Sequence, residues 1–356
     1  MSNYFTTRDE KAFKKIDEAL CEMPEYVGYF ITGISHRTSM LTRLNYTMDL
    51  RIFFWYLSKY KFLKSLDAIL LAELEQLKPF DIEKYANFLS VYSYNGRKLS
   101  CGEKAKERKL ATLRSFFKYL YMKDFIQSNI MLKVEMPKIH DKPIIKLDAN
   151  EVVNLLDIAE AGNNLTARQK TYNEKTYIRD IAILSTFLGT GIRVSELVGL
   201  NIKDIDFGNN AFGVTRKGGN KSILYLPDET FSAIKAYIAW RKTEIDNNTE
   251  FALKITDKDA LFISLQGCRI SVRAVQLLIK KYSKIATPLK KITPHKLRST
   301  YATNLYKETG DIYVVADVLG HSDINTTKKH YAEMSEENKR KAANVTKLRD
   351  IPTKKR

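Results

Sequence analysis

Apolar residues recur at helical spacing along most of this chain, and the stretches where they do not mark its turns and boundaries. The spacing predicts helices over Leu41–Tyr60, Asp81–Tyr92 and Glu103–Met122, with a shorter periodic stretch over Asp9–Met23. Further along it predicts a helix over Glu151–Ala159, with Asp148 or Asn150 as its cap, and a second over Tyr177–Leu188. The second is apolar on nearly every side, so it must be buried. Gly189, Thr190 and Gly191 break it and introduce a new helix over Arg193–Leu200. The period then changes from helical to alternating. Ala211–Arg216 and Ser222–Leu226 flank Lys217, Gly218, Gly219, Asn220 and Lys221, which is the pattern of a β-hairpin. Asp228 opens a helix over Glu229–Ile245, and Leu261–Ser264 reads as a short strand. Four more helices follow over Ile270–Ile285, Pro294–Glu308, Asp311–Leu319 and Asp323–Glu333, with Gly310 and Gly320 at the stops. From Ser335 the chain is helical and basic.

A chain of 356 residues exceeds one small core and implies two domains. The proline-bounded basic segment from Pro137 to Pro143 lacks apolar periodicity and reads as the linker between them. The expected division is an N-terminal extension at 1–34, a helical domain at 35–136, the linker at 137–147, a second domain at 148–334 and a basic C-terminal tail at 335–356.

Charge narrows the partners. With 44% hydrophobic and 28% charged residues the composition is that of a soluble globular protein, but the formal net charge is +18. An excess of that size favours a polyanion, through phosphate neutralisation and release of counterions. No apolar run reaches the roughly 18–20 residues that span a bilayer, so no membrane partner is expected. The N-terminus lacks a basic region followed by an apolar core, and Cys21, Cys101 and Cys268 are few, scattered and odd in number. Both features point to the cytoplasm, with neither a disulfide framework nor zinc spacing. Without a carboxylate cluster, no metal and no cofactor are expected. The helix over Glu103–Met122 interleaves Lys104, Lys106, Arg108, Lys109, Arg114 and Lys118 with Leu110, Leu113, Phe116, Phe117 and Leu120. A charge run of this kind ordinarily marks a solvated face. Its agreement in sign with the whole chain makes Lys104, Arg108, Lys109, Arg114 and Lys118 candidate DNA contacts.

The chemistry-bearing residues gather between Thr293 and Tyr331. Of five histidines, His295, His321 and His330 fall there, together with Arg298 and the Tyr331 hydroxyl. These side chains suit a phosphodiester: cations grip its oxygens and a hydroxyl attacks its phosphorus. Thr293 at an N-cap and Pro294 at the first helical position start a helix on which His295 and Arg298 share a face, beside unpaired backbone N–H groups that favour an anion. Arg193 and Glu196 repeat that spacing on the helix after Gly191. A guanidinium held by a carboxylate has fewer rotamers to lose on meeting phosphate. Lys217 closes the first hairpin strand just before two glycines. Taken singly, each residue has an ordinary reading as an ion pair, a solvated lysine or a core tyrosine.

Together they carry a resemblance. Thr190 to Leu197 (TGIRVSEL), Lys217 to Lys221 (KGGNK), His295 to Arg298 (HKLR), Leu319 to Ser322 (LGHS) and the following Tyr331 resemble the tyrosine recombinase, or phage integrase, family, above all its bacterial Xer-like branch. The likeness covers roughly 36–350, with specific motifs only in the C-terminal half. It implies a mainly α fold: a helical core-binding (SAM-like) N-terminal domain, then a mostly helical catalytic domain with a small antiparallel β-sheet. It further implies that Arg193 and Arg298 clamp the scissile phosphate and that Lys217 protonates the leaving 5′-oxygen. Glu196 would support the site, and His295 and His321 would hydrogen-bond the phosphate or assist proton movement. Tyr331 would be the nucleophile. It stands one residue further from His321 than in Xer-like sequences, with His330 in the usual place. The implied partners are double-stranded DNA at specific recombination sites, three further copies of the chain in a DNA-bound homotetramer docked through the segment after Tyr331, and accessory recombination factors. The implied reaction is site-specific recombination through a 3′-phosphotyrosyl intermediate, serving integration or excision of a mobile element or resolution of chromosome or plasmid dimers. A type IB topoisomerase-like strand swivelase shares this chemistry, and a non-catalytic DNA-binding regulator shares the scaffold.

Overall fold

The computed structural model describes residues 3–138, 144–216 and 219–320. The chain divides into two units, Met1–Lys142 and Pro143–Arg356. The expected helix over Asp323–Glu333 lies outside the described residues, as do His321, His330, Tyr331 and the tail.

The first unit is built around aromatic side chains. Helices α1 (Asn3–Leu20), α2 (Glu25–Gly33), α3 (Met40–Leu57), α4 (Leu71–Glu75), α5 (Pro79–Phe88) and α6 (Glu103–Met122) surround a core containing Phe30, Phe53, Phe54, Tyr85, Phe116 and Phe117. Edge-to-face contacts order these rings, with centroids 5.1 Å apart for Phe53 and Tyr85 and 5.4 Å for Phe30 and Phe116. Residues 3–33 are not an appendage. Ala12, Ile16 and Ala19 of α1 and Val27, Phe30 and Ile31 of α2 are buried, and α1 packs on α3. A short hairpin, β1 (Tyr92–Tyr94) and β2 (Arg97–Leu99), interrupts the expected all-helical pattern. It turns through Asn95 and Gly96, both at positive φ.

One ion cluster is set into that core. Asp49 on α3 is 2% exposed and takes hydrogen bonds from both terminal nitrogens of Arg108, from Lys109 Nζ at 2.7 Å and from Thr112 Oγ1 at 3.1 Å. Lys109, grouped above with the DNA-facing cations, is therefore turned inward, its side chain 6% exposed. The physical reason is charge balance: a buried carboxylate requires a cation within reach, and Lys109 lies on the apolar face with Leu113 and Phe116.

The second unit wraps helices around α9 (Tyr177–Thr190), whose Ala182, Ile183, Leu184 and Phe187 are fully buried. Helices α7 (Ala149–Ala161), α11 (Asp228–Asp246) and α14 (Pro294–Thr309) pack directly against it. Asp148 caps α7, accepting from the Glu151 N–H at 2.9 Å. The remaining helices are α8 (Ala167–Glu174), α10 (Val194–Gly199), α12 (Glu250–Leu253), α13 (Val272–Ala286) and α15 (Ile312–Leu319). The hairpin forms as β4 (Ala211–Thr215) and β5 (Lys221–Tyr225), paired from Ala211–Tyr225 to Thr215–Lys221. A two-residue strand, β3 (Ile205–Asp206), adds to β4 and makes an antiparallel sheet in the order β3-β4-β5.

The strand expected over Leu261–Ser264 is instead two isolated bridges, Asn201–Ala260 and Ile263–Arg269. Its backbone groups go to different partners: Leu261 N–H donates to Leu200 O at 2.9 Å, and Arg241 donates to the carbonyl of Ala260. Continuous pairing is thereby excluded.

Removing the carboxylate at Asp49 leaves Lys109 buried without its counter-charge. Asp49→Ala is expected to lower the stability of the first unit by roughly 3–5 kcal/mol. Adding Lys109→Met should return much of that loss, measured by urea unfolding. A single-variant loss below about 1 kcal/mol would show that the pair behaves like a surface one.

Candidate active site

Helix α15 ends at Gly320, which adopts a left-handed conformation (φ +61°) and closes the helix with its N–H on Asp317 O at 2.8 Å. The last carbonyls of a helix lack intrahelical partners and carry its negative dipole end. Here three consecutive ones each receive a guanidinium. Arg216 Nη2 donates to Val318 O at 2.7 Å, Arg298 Nη2 to Leu319 O, and Arg193 Nη2 to Gly320 O at 2.9 Å. Their next neighbour in the chain is His321.

Each arginine arrives on a different element. Arg193 is the N-cap residue of α10, and its backbone N–H donates to Glu196 Oε2 at 3.0 Å. Its Nη1 meets Glu196 Oε1 at 2.9 Å, so the expected pair three residues apart is present. The Glu196 side chain is only 3% exposed, which makes this more than a surface ion pair. Its second oxygen also takes Arg216 Nη1 at 3.2 Å. One buried carboxylate thus anchors two guanidiniums. The Arg193 side chain is 30% exposed.

Arg298 rises from the first turns of α14, where Thr293 holds the N-cap position and Pro294 the first helical one. Its guanidinium is buried and also donates through Nη1 to Gly191 O at 2.6 Å. His295 lies at the start of the same helix and is exposed. Gly191 makes the Arg298 contact possible. It ends α9 at φ +60°, and a Cβ there would fall 2.5 Å from Tyr301 Cδ1 and 3.0 Å from Leu319 Cδ2. Burial pushes the Tyr301 phenol upward. The structure therefore brings Arg193, Glu196 and Arg298 together at the helix end that leads into His321. Lys217, His321 and Tyr331 lie outside the described residues.

Arg216 was absent from the residues singled out in the sequence. It follows β4 on the inward face with Phe212 and Val214, and it is 8% exposed. Burial draws its guanidinium below the ordinary value and Glu196 opposes that. The signal was present: in an alternating strand, a cation at the inward period implies a buried anion.

A second cationic feature also escaped notice. Arg273, Gln276, Lys280, Lys284, Lys290 and Lys291 line a groove that reaches Thr293 and Pro294, at the base of the helix bearing His295 and Arg298. On α6 of the first unit, Lys104, Arg108, Arg114 and Lys118 are exposed, although Arg108 is tied to Asp49 and Arg114 donates to Val134 O at 3.1 Å. Among the described residues no cluster of histidine, cysteine, aspartate or glutamate suits a metal ion.

This mainly helical unit with a small antiparallel sheet gathers Arg193 and Arg298 at one helix end, an arrangement of cations that suits a phosphate anion. The chain belongs to the phage integrase family, whose model matches residues 146–338, more than half of its length. Within that family it is a tyrosine recombinase of the Xer-like kind, a site-specific DNA strand transferase. It is 32% identical over 335 residues to the tyrosine recombinase XerC of Caldanaerobacter subterraneus subsp. tengcongensis, covering 92% of this chain and 86% of that one. To XerC of Thermodesulfovibrio yellowstonii it is 37% identical over 221 residues, covering 62% and 68%. In fold it is similar to the Tn1549 transposon integrase in complex with circular intermediate DNA, with a TM-score of 0.63 at 20% identity over 91% of this chain and 100% of that one. It is also similar to the XerH recombinase bound to difH substrate, with a TM-score of 0.60 at 20% identity over 86% and 80%. The expected mainly helical fold with a small antiparallel sheet is borne out.

A side chain at residue 191 would have to displace Tyr301 or Leu319 and sit in a left-handed backbone. Gly191→Ala is expected to cost roughly 1–3 kcal/mol, read as a lower melting temperature of the second unit. An unchanged melting temperature would mean that the contact with Arg298 does not depend on this glycine.

Proposed function

We propose that the chain recombines duplex DNA by two successive transesterifications. Tyr331 Oη attacks the scissile phosphorus as the P–O5′ bond breaks, leaving a 3′-phosphotyrosyl linkage and a free 5′-hydroxyl. The 5′-hydroxyl of a partner strand then attacks that linkage and restores the diester. The covalent intermediate retains the energy of the phosphodiester, so the reaction needs no ATP. Arg193 and Arg298 grip the non-bridging oxygens and offset the charge that builds on the phosphorane. Lys217 gives its proton to the leaving 5′-oxygen, while His295 and His321 hydrogen-bond the phosphate and move protons. Glu196 holds Arg193 in place.

The observation that carries this reading is the meeting of Arg193, Glu196 and Arg298 at the helix end that precedes His321. Sequence order then brings Tyr331 shortly after. The XerH and Tn1549 integrase structures are complexes with DNA, which supports a DNA partner here. We assign the DNA backbone to the groove lined by Lys280, Lys284, Lys290 and Lys291, and to Lys104, Arg108, Arg114 and Lys118 of α6. Lys109 serves that face only indirectly, by holding Asp49. Four copies assemble on two duplexes, with residues 332–347 docking onto a neighbour and accessory recombination factors joining at the site. The same chemistry serves integration or excision of a mobile element and resolution of chromosome or plasmid dimers. The DNA trapped on the protein in cells identifies which.

Two measurements test the reading. On a nicked suicide duplex, Tyr331→Phe is expected to bind DNA normally and form no covalent adduct; an adduct at the wild-type level would remove Tyr331 as nucleophile. Replacing Lys280 and Lys284 by glutamate should weaken DNA binding across all sequences and flatten its dependence on salt. An unaltered salt slope would exclude the groove from the interface.

A further inference from the structure

The reaction above gives no task to Arg216, a buried cation beside the proposed phosphate grip. Arg216 has a side chain 7% exposed, and it is fixed at both ends. Its backbone N–H donates to Asn220 O at 2.7 Å, and its carbonyl accepts from the Gly219 N–H at 3.0 Å, so the residue closes the β4–β5 turn. Its guanidinium fastens that turn to two other elements: to α10 through Glu196 Oε2, and to the end of α15 through Val318 O. Gly320 lies over the same group, since a Cβ there would fall 2.9 Å from Arg216 Nε.

Stability alone does not account for a charge at this position. A well-packed apolar side chain often serves a buried site at least as well as an ion pair, whereas hydrogen-bonded ions fix geometry. What this geometry fixes is the strand end that directly precedes Lys217 in the sequence. The two anchors of Arg216 are also the anchors of the phosphate grip. Glu196 holds Arg193, and the end of α15 receives both Arg193 and Arg298 before running into His321.

We propose that Arg216 is a positioning residue for the leaving-group proton: it locks the hairpin to the phosphate grip so that Lys217 Nζ delivers its proton to the 5′-oxygen. In this role Arg216 acts through Lys217, and its described partners are Glu196 and Val318. The inference rests on the assignment of Lys217 as the acid. In the step concerned, the Tyr331 Oη–P bond forms and the P–O5′ bond breaks. The tyrosine proton passes to a histidine, and the Lys217 proton goes to the departing oxygen. Loss of the acid should cost about 10²–10⁴ in rate, and its misplacement by about an ångström roughly 10².

The test uses a duplex whose scissile 5′-bridging oxygen is replaced by sulfur. A thiol is far more acidic than an alcohol, so the thiolate departs as an anion and needs no proton. Full-length wild type, Lys217→Ala, Arg216→Gln, Arg216→Lys and Arg298→Ala are compared on the oxygen and sulfur duplexes. For each protein the readout is the ratio of the two adduct-forming rates under saturating DNA. That ratio is independent of the fraction of protein folded, so a loss of stability in an Arg216 variant does not obscure the result. Lys217→Ala and both Arg216 variants are expected to be slow on oxygen and to return to near the wild-type rate on sulfur. Arg298→Ala should stay slow on both, because its defect lies in holding the phosphate. Recovery by Lys217→Ala without recovery by the Arg216 variants would overturn the proposal and leave the acid assignment standing. Failure of Lys217→Ala itself to recover would remove the acid assignment, and the role of Arg216 with it.

Discussion

The second unit depends on the carbonyl oxygens at the end of α15. Three guanidiniums from three separate elements converge on Val318, Leu319 and Gly320, and each contact joins a segment that is remote in sequence. A helix C-terminus suits this use because it presents unpaired acceptors and a partial negative charge without a side chain. It draws cations together that would otherwise repel. Glu196 completes the balance by placing one carboxylate between Arg193 and Arg216. The arginines are therefore held in place by the protein itself, which is the preorganisation that the proposed reaction calls for.

The same principle recurs away from the site. Asp49 in the first unit gathers Arg108, Lys109 and Thr112, and Arg269 in the second holds Val198 O at 3.0 Å and Leu200 O at 2.8 Å behind α10. Buried ions here tie one element to another. In a chain this basic, they separate cations that build the protein from those that remain exposed for a polyanion.

How much of this was legible beforehand varied with the kind of signal. The bounds of α6 and the start of α14 could be read directly, because apolar spacing and the Thr293–Pro294 start are local properties. The β4–β5 hairpin was equally plain, since alternation and its glycine-rich turn coincide. Helix α8 was missed: it is polar, and its one buried residue, Asn173, gives no apolar period. Its sign was the pairing of Thr166 with Gln169 across the helix start. Lys109 was misread by its charge, although its spacing to Leu113 and Phe116 placed it on the packed face. The candidate site residues Arg193, Glu196 and Arg298 stood out through their motifs, whereas the carbonyls that receive the two arginines did not. Main-chain carbonyls leave no mark in a sequence, and only the inward period of Arg216 hinted that a buried acceptor awaited it.

The central claim is that this cationic frame serves a phenolic nucleophile. It is tested most directly by trapping the protein on a nicked suicide duplex in the presence of a chelator and locating the attached nucleotide by mass spectrometry of the digested adduct. The account requires a nucleotide 3′-phosphate on the peptide containing Tyr331. A nucleotide on any other residue, or a complete loss of adduct when divalent ions are removed, would contradict it.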